Sequence, residues 1–133
     1  MPLIQILPIA AAIAVAVITV MIALQQSKPV IKSIWILPTI LLCLFFGWTL
    51  FTVINEGPIG FWTEHTRNLW GNQIWLDLLL AAGTAWALIA PRAKAQRMTL
   101  FPWLGLILAT GSIGLLAMLA RLLYLEERAA VSA

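Results

Sequence analysis

Four long apolar stretches, separated by short polar ones, run along the chain at residues 3–25, 34–54, 73–90 and 100–124. Each is about the length that crosses a ~30 Å hydrocarbon core at a rise of 1.5 Å per residue. Lipid offers no hydrogen-bonding partner to the backbone, so such segments satisfy themselves as helices. The pattern therefore predicts an all-α integral membrane protein with four transmembrane helices. A short interfacial helix is expected between the second and the third. The whole chain, 1–133, forms one four-helix membrane domain.

Local chemistry sharpens the ends. Ser33 is placed to cap the second helix, and Gly57-Pro58 follows its end. Pro91 is expected to stop the third helix. Thr99 can cap the fourth, leaving Pro102 in the tolerant first turn. Pro8 and Pro38 predict mild bends.

Between 55 and 72 lies NEGPIGFWTEHTRNLWGN. On a helical wheel Phe61, Trp62, His65, Thr66, Leu69 and Trp70 share one half, opposite Thr63, Glu64, Arg67 and Asn68, as an interfacial helix requires. His65 is the lone histidine. It is either an axial ligand or proton shuttle for a pigment, haem or quinone, or an interfacial histidine bonded to a headgroup or carbonyl.

Charge orients the spans. The connection after the first helix carries Lys28 and Lys32, and the one after the third carries Arg92, Lys94 and Arg97. With four crossings these five lie on one side without an acid. Arg67, Arg121 and Arg128 lie on the other with Glu56, Glu64, Glu126 and Glu127. The positive-inside rule puts the basic loops in the cytoplasm and both termini on the periplasmic side of a bacterial inner (cytoplasmic) membrane. Glu126, Glu127 and Arg128 are expected in a solvated turn at the end of the fourth helix.

The stretch WGNQIWLDLLLAAGTAW places Asp77 inside an apolar run. Asp77, Ala81, Thr84 and Leu88 fall on one face of the third helix. Thr110, Gly114, Ala117 and Arg121 fall on one face of the fourth. If these helices are adjacent and antiparallel, an Asp77–Arg121 ion pair sets Ala81 against Ala117, Thr84 against Gly114 and Leu88 against Thr110, a seam of small residues. Asp77 also fits an outward polar site with Asn55, Glu56, Glu64, His65, Asn72 and Gln73, and the two roles are compatible.

Composition agrees with the membrane and narrows the rest. The chain is 62% hydrophobic and 10% charged, where soluble domains run near a quarter charged. A net charge of +3 spread beside apolar segments gives no nucleic-acid footprint. Cys43 is the one cysteine, so no internal disulfide is possible, and it reads as a small hydrophobe. The N-terminal run lacks the basic flank of a signal peptide and is longer than a typical h-region, so it reads as a retained helix. Metal and nucleophile motifs are absent from the sequence.

The stretches NQIWLDLLLAAGTAWALI and RMTLFPWLGLILATGSIGLLAMLARLLYLEER carry a resemblance over residues 72–128. Their Asp77-Leu78, basic loop, and Gly111-Ser112-Ile113-Gly114-Leu115-Leu116 followed by an arginine resemble small four-helix bacterial membrane proteins of unknown function. More distantly they are similar to the neoxanthin-synthase-like membrane proteins of carotenoid metabolism. The resemblance implies a four-helix membrane topology. The plant-like pattern has a histidine just before the helix aspartate; here that position is Leu76.

Two functional readings follow. The first is a small, non-catalytic accessory or structural subunit of a larger bacterial membrane complex, photosynthetic or respiratory in type. It would have no cofactor of its own, and would touch lipid, pigment or quinone through tryptophan and leucine. Of the seven tryptophans, Trp62, Trp70, Trp75 and Trp103 fit interfacial anchoring. Trp48 and Trp86 lie deeper and, with His65, are the candidates for pigment or partner contact. The second reading is a small membrane enzyme or binding protein for a carotenoid- or isoprenoid-like ligand, anchored by Asp77, His65, Glu56 or Arg121. Against it stands the lack of a second deep ionisable group, since acid–base chemistry usually needs a positioned pair. A channel or transporter ranks last, because no inverted repeat or polar stripe crosses the spans.

Overall fold

A computed structural model describes residues 3–24 and 33–132 of the chain. It divides into two units, residues 1–31 and 32–133. Lys28 and Lys32, two of the five basic residues expected in the cytoplasm, lie outside the described residues.

The first unit is one helix, α1 (Leu3–Leu24), which matches the first expected segment and contains Pro8. Its one described hydroxyl, on Thr19, donates back to the Val15 and Ala16 carbonyls at 2.9 and 3.0 Å, which hides the polar group on an apolar helix.

The second unit holds α2 (Ile36–Glu56), α3 (Gly60–Thr66), α4 (Leu69–Ala95), α5 (Leu100–Thr110) and α6 (Ser112–Ser132). All the described regular structure is helical. Of its helices, α2 and α4 are long and apolar enough to cross a membrane. Only 6% of each of their apolar windows is buried within the chain, so almost all of that surface needs covering by something else.

Gly57 ends α2 at φ 84° and ψ 161°, donating its N–H to the Val53 carbonyl. That is a backbone shape L residues rarely adopt. The other end departs from expectation. Ser33 does not cap α2; its φ is 63°, and its N–H reaches Glu127 instead. Pro38 falls in the first turn, where a missing N–H costs nothing, and is buried there.

The short helix expected between the second and third spans is α3. It leads into α4 through Asn68, whose side chain accepts the Gly71 N–H at 2.8 Å as a cap. Pro91 does not stop α4, which runs four residues beyond it to Ala95. Ile89 and Ala93 flank that proline and are both buried in the core, so tertiary contact holds the last turn in shape.

The expected fourth helix is two helices. Gly111, at φ 60° and ψ −120°, separates α5 from α6. Gly114 of α6 lies directly against the backbone of Leu106 and Ile107 of α5. In a straight helix those residues would be separated by about 10 Å of rise, so α5 folds back along α6. One hydroxyl steadies the turn: Thr110 Oγ1 donates to the Leu106 carbonyl at 2.7 Å and accepts the Gly114 N–H at 3.0 Å.

Burial explains why the chain turns there. The buried core is Ile89 and Ala93 of α4, Ile107 of α5, and Met118 and Leu122 of α6, with Trp86, Met98, Leu100, Trp103, Leu115 and Leu119 packed around it. Only a reversal at Gly111 lets Ile107 and Leu122 share one cluster.

The fold-back also reverses the direction expected for the final helix. Ser33 meets Glu127 at 2.9 Å and Trp35 meets Tyr124 at 5.6 Å, so α2 and α6 run antiparallel. Arg92 grips Glu126 through Nε and Nη2 at 3.0 and 2.7 Å, while Ile89 and Ala93 share the core with Met118 and Leu122. Hence α4 and α6 run parallel. The start of α2, the α4–α5 connection and the last turns of α6 gather at one end, called the near end below. The α2–α3–α4 connection forms the far end. Glu126 and Glu127 are therefore neither in a solvated turn nor opposite the basic loop.

Candidate functional site

The residues singled out from sequence fall at both ends. At the far end the α3 backbone packs closely on α4: a Cβ at Gly71 would strike the Glu64 carbonyl oxygen and crowd His65. This brings His65 within 5.1 Å of the Trp75 ring, with Phe61 on the same indole at 6.0 Å. His65 is half-buried in that aromatic nest. Its neighbour Glu64 pairs with Arg67 at 3.1 Å, both exposed, a link worth about 0.5 kcal/mol or less.

Trp48 and Trp86 do not join His65. Trp48 stands on α2, 37% exposed, with Phe51 at 5.7 Å. Trp86 packs on the near-end core. It lies 11 residues beyond Trp75 on α4, about 16 Å along the axis. Cys43 is free and exposed.

The Asp77–Arg121 pair does not form. Among the described residues the ion pairs are Glu64–Arg67 and Arg92–Glu126. Arg121 instead lies over the Tyr124 ring, 5.8 Å from its centroid. The reason is directional: α4 and α6 are parallel, so Asp77 belongs to the far half and Arg121 to the near half. The expected seam fails with it, since Gly114 meets α5 rather than Thr84. Asp77 is exposed and makes no hydrogen bond or ion pair among the described residues.

The better-built group of polar residues is at the near end. Trp35, Tyr124, Glu127, Arg128 and Val131 line a cavity of about 420 Å³. Trp35 meets Tyr124 edge to face, the rings 86° apart. Arg128 lies over the same phenol ring, its Cζ 5.2 Å from the centroid. Glu127 accepts the Ser33 N–H through Oε1. Its Oε2 is buried and has no hydrogen-bond partner among the described residues. The Tyr124 ring thus already carries two guanidiniums, those of Arg121 and Arg128.

Sequence reasoning missed this group. A signal was present: Tyr124, Glu127, Arg128 and Val131 recur at helical spacing of three, four and seven, one face of α6. What hid it was the assignment of the last turns to a solvated tail.

Among the described residues no three of His, Cys, Asp and Glu come together as a metal site. In comparisons with family models, curated proteins and solved structures, the chain matches none.

Proposed function

We propose that this chain is a small, non-catalytic accessory subunit of a larger bacterial membrane complex. In this reading α2 and α4 cross the inner membrane and the α5–α6 hairpin enters from the near side. The near end carries Arg92, Lys94, Arg97, Arg121 and Arg128, against Arg67 at the far end. The positive-inside rule then makes the near end cytoplasmic. The C-terminal end of α6 moves to the cytoplasmic side with it, because the periplasmic assignment presumed that the fourth segment crossed.

The observation that carries the proposal is Asp77. Counting a ~30 Å core back from Arg92 along α4 places Asp77 roughly 7 Å inside the far boundary. It is exposed and has no partner among the described residues. A lone carboxylate in the hydrocarbon costs up to ~2.5–3.5 kcal/mol at the centre and less near the boundary. A donor on a partner helix offsets that cost, whereas lipid chains do not. Ala81 and Thr84 continue the same exposed face, so a partner can approach closely.

Purification in mild detergent tests this. The wild-type chain should migrate with a larger assembly on native gels, and Asp77→Leu should release it while remaining in the membrane. Isolation of the wild type as a small monodisperse protein with a bound isoprenoid would sink the proposal and favour the ligand-binding alternative. No observation supports that alternative at present: Arg121 stands at the opposite end from Asp77, His65 and Glu56.

A further inference from the structure

We propose that Arg121 and Arg128 of α6 bind a lipid phosphate that carries no ammonium, as in phosphatidylglycerol, in the leaflet at the near end. This rests on α2 and α4 crossing a membrane, and not on the larger complex. The first observation is the direction of the Arg121 side chain. Long side chains on a helix lean back toward its N-terminus. That of Arg121 reaches forward by one turn instead, its Cζ 5.8 Å from the centroid of the Tyr124 ring. Counted back from Glu126, which pairs with Arg92 at the near boundary, the Arg121 backbone stands about 7 Å inside the membrane. A cation at that depth is stabilised by turning toward the headgroups, and this side chain does so.

The second observation is convergence. Arg128 reaches back to the same ring, its Cζ 5.2 Å from the centroid. Two like charges thus flank one phenol and repel each other. A ring face does not satisfy the five N–H donors of a guanidinium. Both arginines are exposed, and Arg121 makes no hydrogen bond or ion pair among the described residues. An oxyanion reached by both forks offsets the repulsion and takes donors from each, for Arg128 alongside its other contacts. The nearby carboxylates are committed elsewhere. Glu126 accepts from Arg92 through both oxygens at 3.0 and 2.7 Å. Glu127 accepts the Ser33 N–H at Oε1, and its Oε2 is buried.

The same facts decide the headgroup. An ethanolamine or choline ammonium would meet a Tyr124 ring already holding two guanidiniums, and neither glutamate open to it. Lys94 and Arg97, exposed at the same end, would repel it further. An anionic lipid brings the phosphate without the ammonium. A lipid is favoured over a dissolved phosphate ester by the surface beside the site. Trp35 meets Tyr124, and Ile34, Leu37 and Leu41 around it on α2 are 39%, 47% and 41% exposed. Acyl chains can follow that apolar surface inward from a headgroup held at the near end.

The full chain in nanodiscs of equal parts dioleoyl phosphatidylglycerol and dioleoyl phosphatidylethanolamine, released into a native mass spectrometer, reports which lipid stays bound. The glycerol lipid should be retained about tenfold over the ethanolamine lipid, a ratio that one charge-assisted hydrogen bond sustains. Arg121→Gln should bring the ratio to about twofold or less, with helicity unchanged by circular dichroism. Lys94→Gln removes the same charge from the same end and should leave the wild-type ratio. Equal retention by the wild type overturns the proposal without any variant. So does a full preference that survives in folded Arg121→Gln. An equal fall in the two variants marks diffuse surface charge and overturns the site. Displacement of the retained lipid by excess soluble glycerophosphoglycerol reassigns the site to a dissolved ester and overturns the lipid assignment. Failure of the membrane reading shows separately, as a chain that leaves alkaline-washed membranes for the supernatant.

Discussion

Replacing Gly114 by alanine gives opposite signs for a straight final helix and for a folded-back one. In a straight membrane helix, glycine is a weak helix former, and alanine gains about 1 kcal/mol. In this fold a Cβ at Gly114 would stand 2.8 Å from the Ile107 nitrogen and the Leu106 carbonyl carbon, and 2.9 Å from the Ile107 Cα. Tolerable contact begins near 3.4 Å, so α5 and α6 must separate by about 0.6 Å. The obstructing atoms are backbone, which cannot rotate aside. Overpacking of this kind costs about 1–3 kcal/mol, and the upper end applies because Ile107 and Met118 of the enclosed core sit beside the contact. The net expectation is a loss of about 2 kcal/mol. Gly83 and Gly105 have open space where a Cβ would go, so alanine there should be neutral or gain up to ~1 kcal/mol. Thermal unfolding of the four proteins in one detergent, followed by tryptophan fluorescence, reads the contrast. Stabilisation by Gly114→Ala equal to that of Gly105→Ala would refute the fold-back.

Three further outcomes follow. Met118→Ala, at a fully enclosed side chain, should lose about 2–5 kcal/mol in the same unfolding assay, whereas Leu44→Ala, at a residue 67% exposed, should change little. Thr110→Val keeps the shape but removes the acceptor for the Gly114 N–H, and should lower stability by about 1 kcal/mol. A double-mutant cycle over Arg92 and Glu126 should give coupling of up to ~1 kcal/mol, as expected for a two-pronged but half-exposed pair. The same cycle over Asp77 and Arg121 should give none, and measurable coupling there would restore the antiparallel seam.

The parts of this fold that local chemistry determines could be read in advance. Gly57 ends α2 because it alone tolerates φ 84°, and the Gly57-Pro58 pair announces it. The amphipathic run between 55 and 72 does contain a helix. What could not be read is where apolar surface meets apolar surface. A period of 3.6 is the same in one helix of 25 residues as in two helices that reverse, so residues 100–124 looked continuous. Thr110-Gly111-Ser112 carries a weak turn signal, but it stands inside an apolar run. Pro91 failed as a stop for the same reason, because core contacts at Ile89 and Ala93 override the local preference. The error then spread to the site. A fourth crossing puts Arg121 beside Asp77 and sets the neighbours of the α6 tail, Ser33, Trp35 and Arg92, on the opposite side.

With α2 and α4 crossing a membrane as proposed, the reversal at Gly111 would fall within it, since α5 spans 11 residues, about 16 Å, before it turns. Irregular backbone in the hydrocarbon is tolerated only where its polar groups are satisfied or covered by protein. Here the Gly111 N–H returns to the Ile107 carbonyl at 2.7 Å, and the Gly111 carbonyl accepts the Leu115 N–H at 3.2 Å. Thr110 takes the Gly114 N–H. The absence of a side chain at Gly114 then lets the two helices pack closely just beyond the turn. The residues that permit the reversal therefore also satisfy part of its backbone, while residues 108–112 stay exposed to whatever surrounds the chain. By sending α6 back to the near end, they deliver Glu126 to Arg92 and Glu127 to the head of α2, which is how a chain with so small a buried core among its described residues assembles a polar site at all.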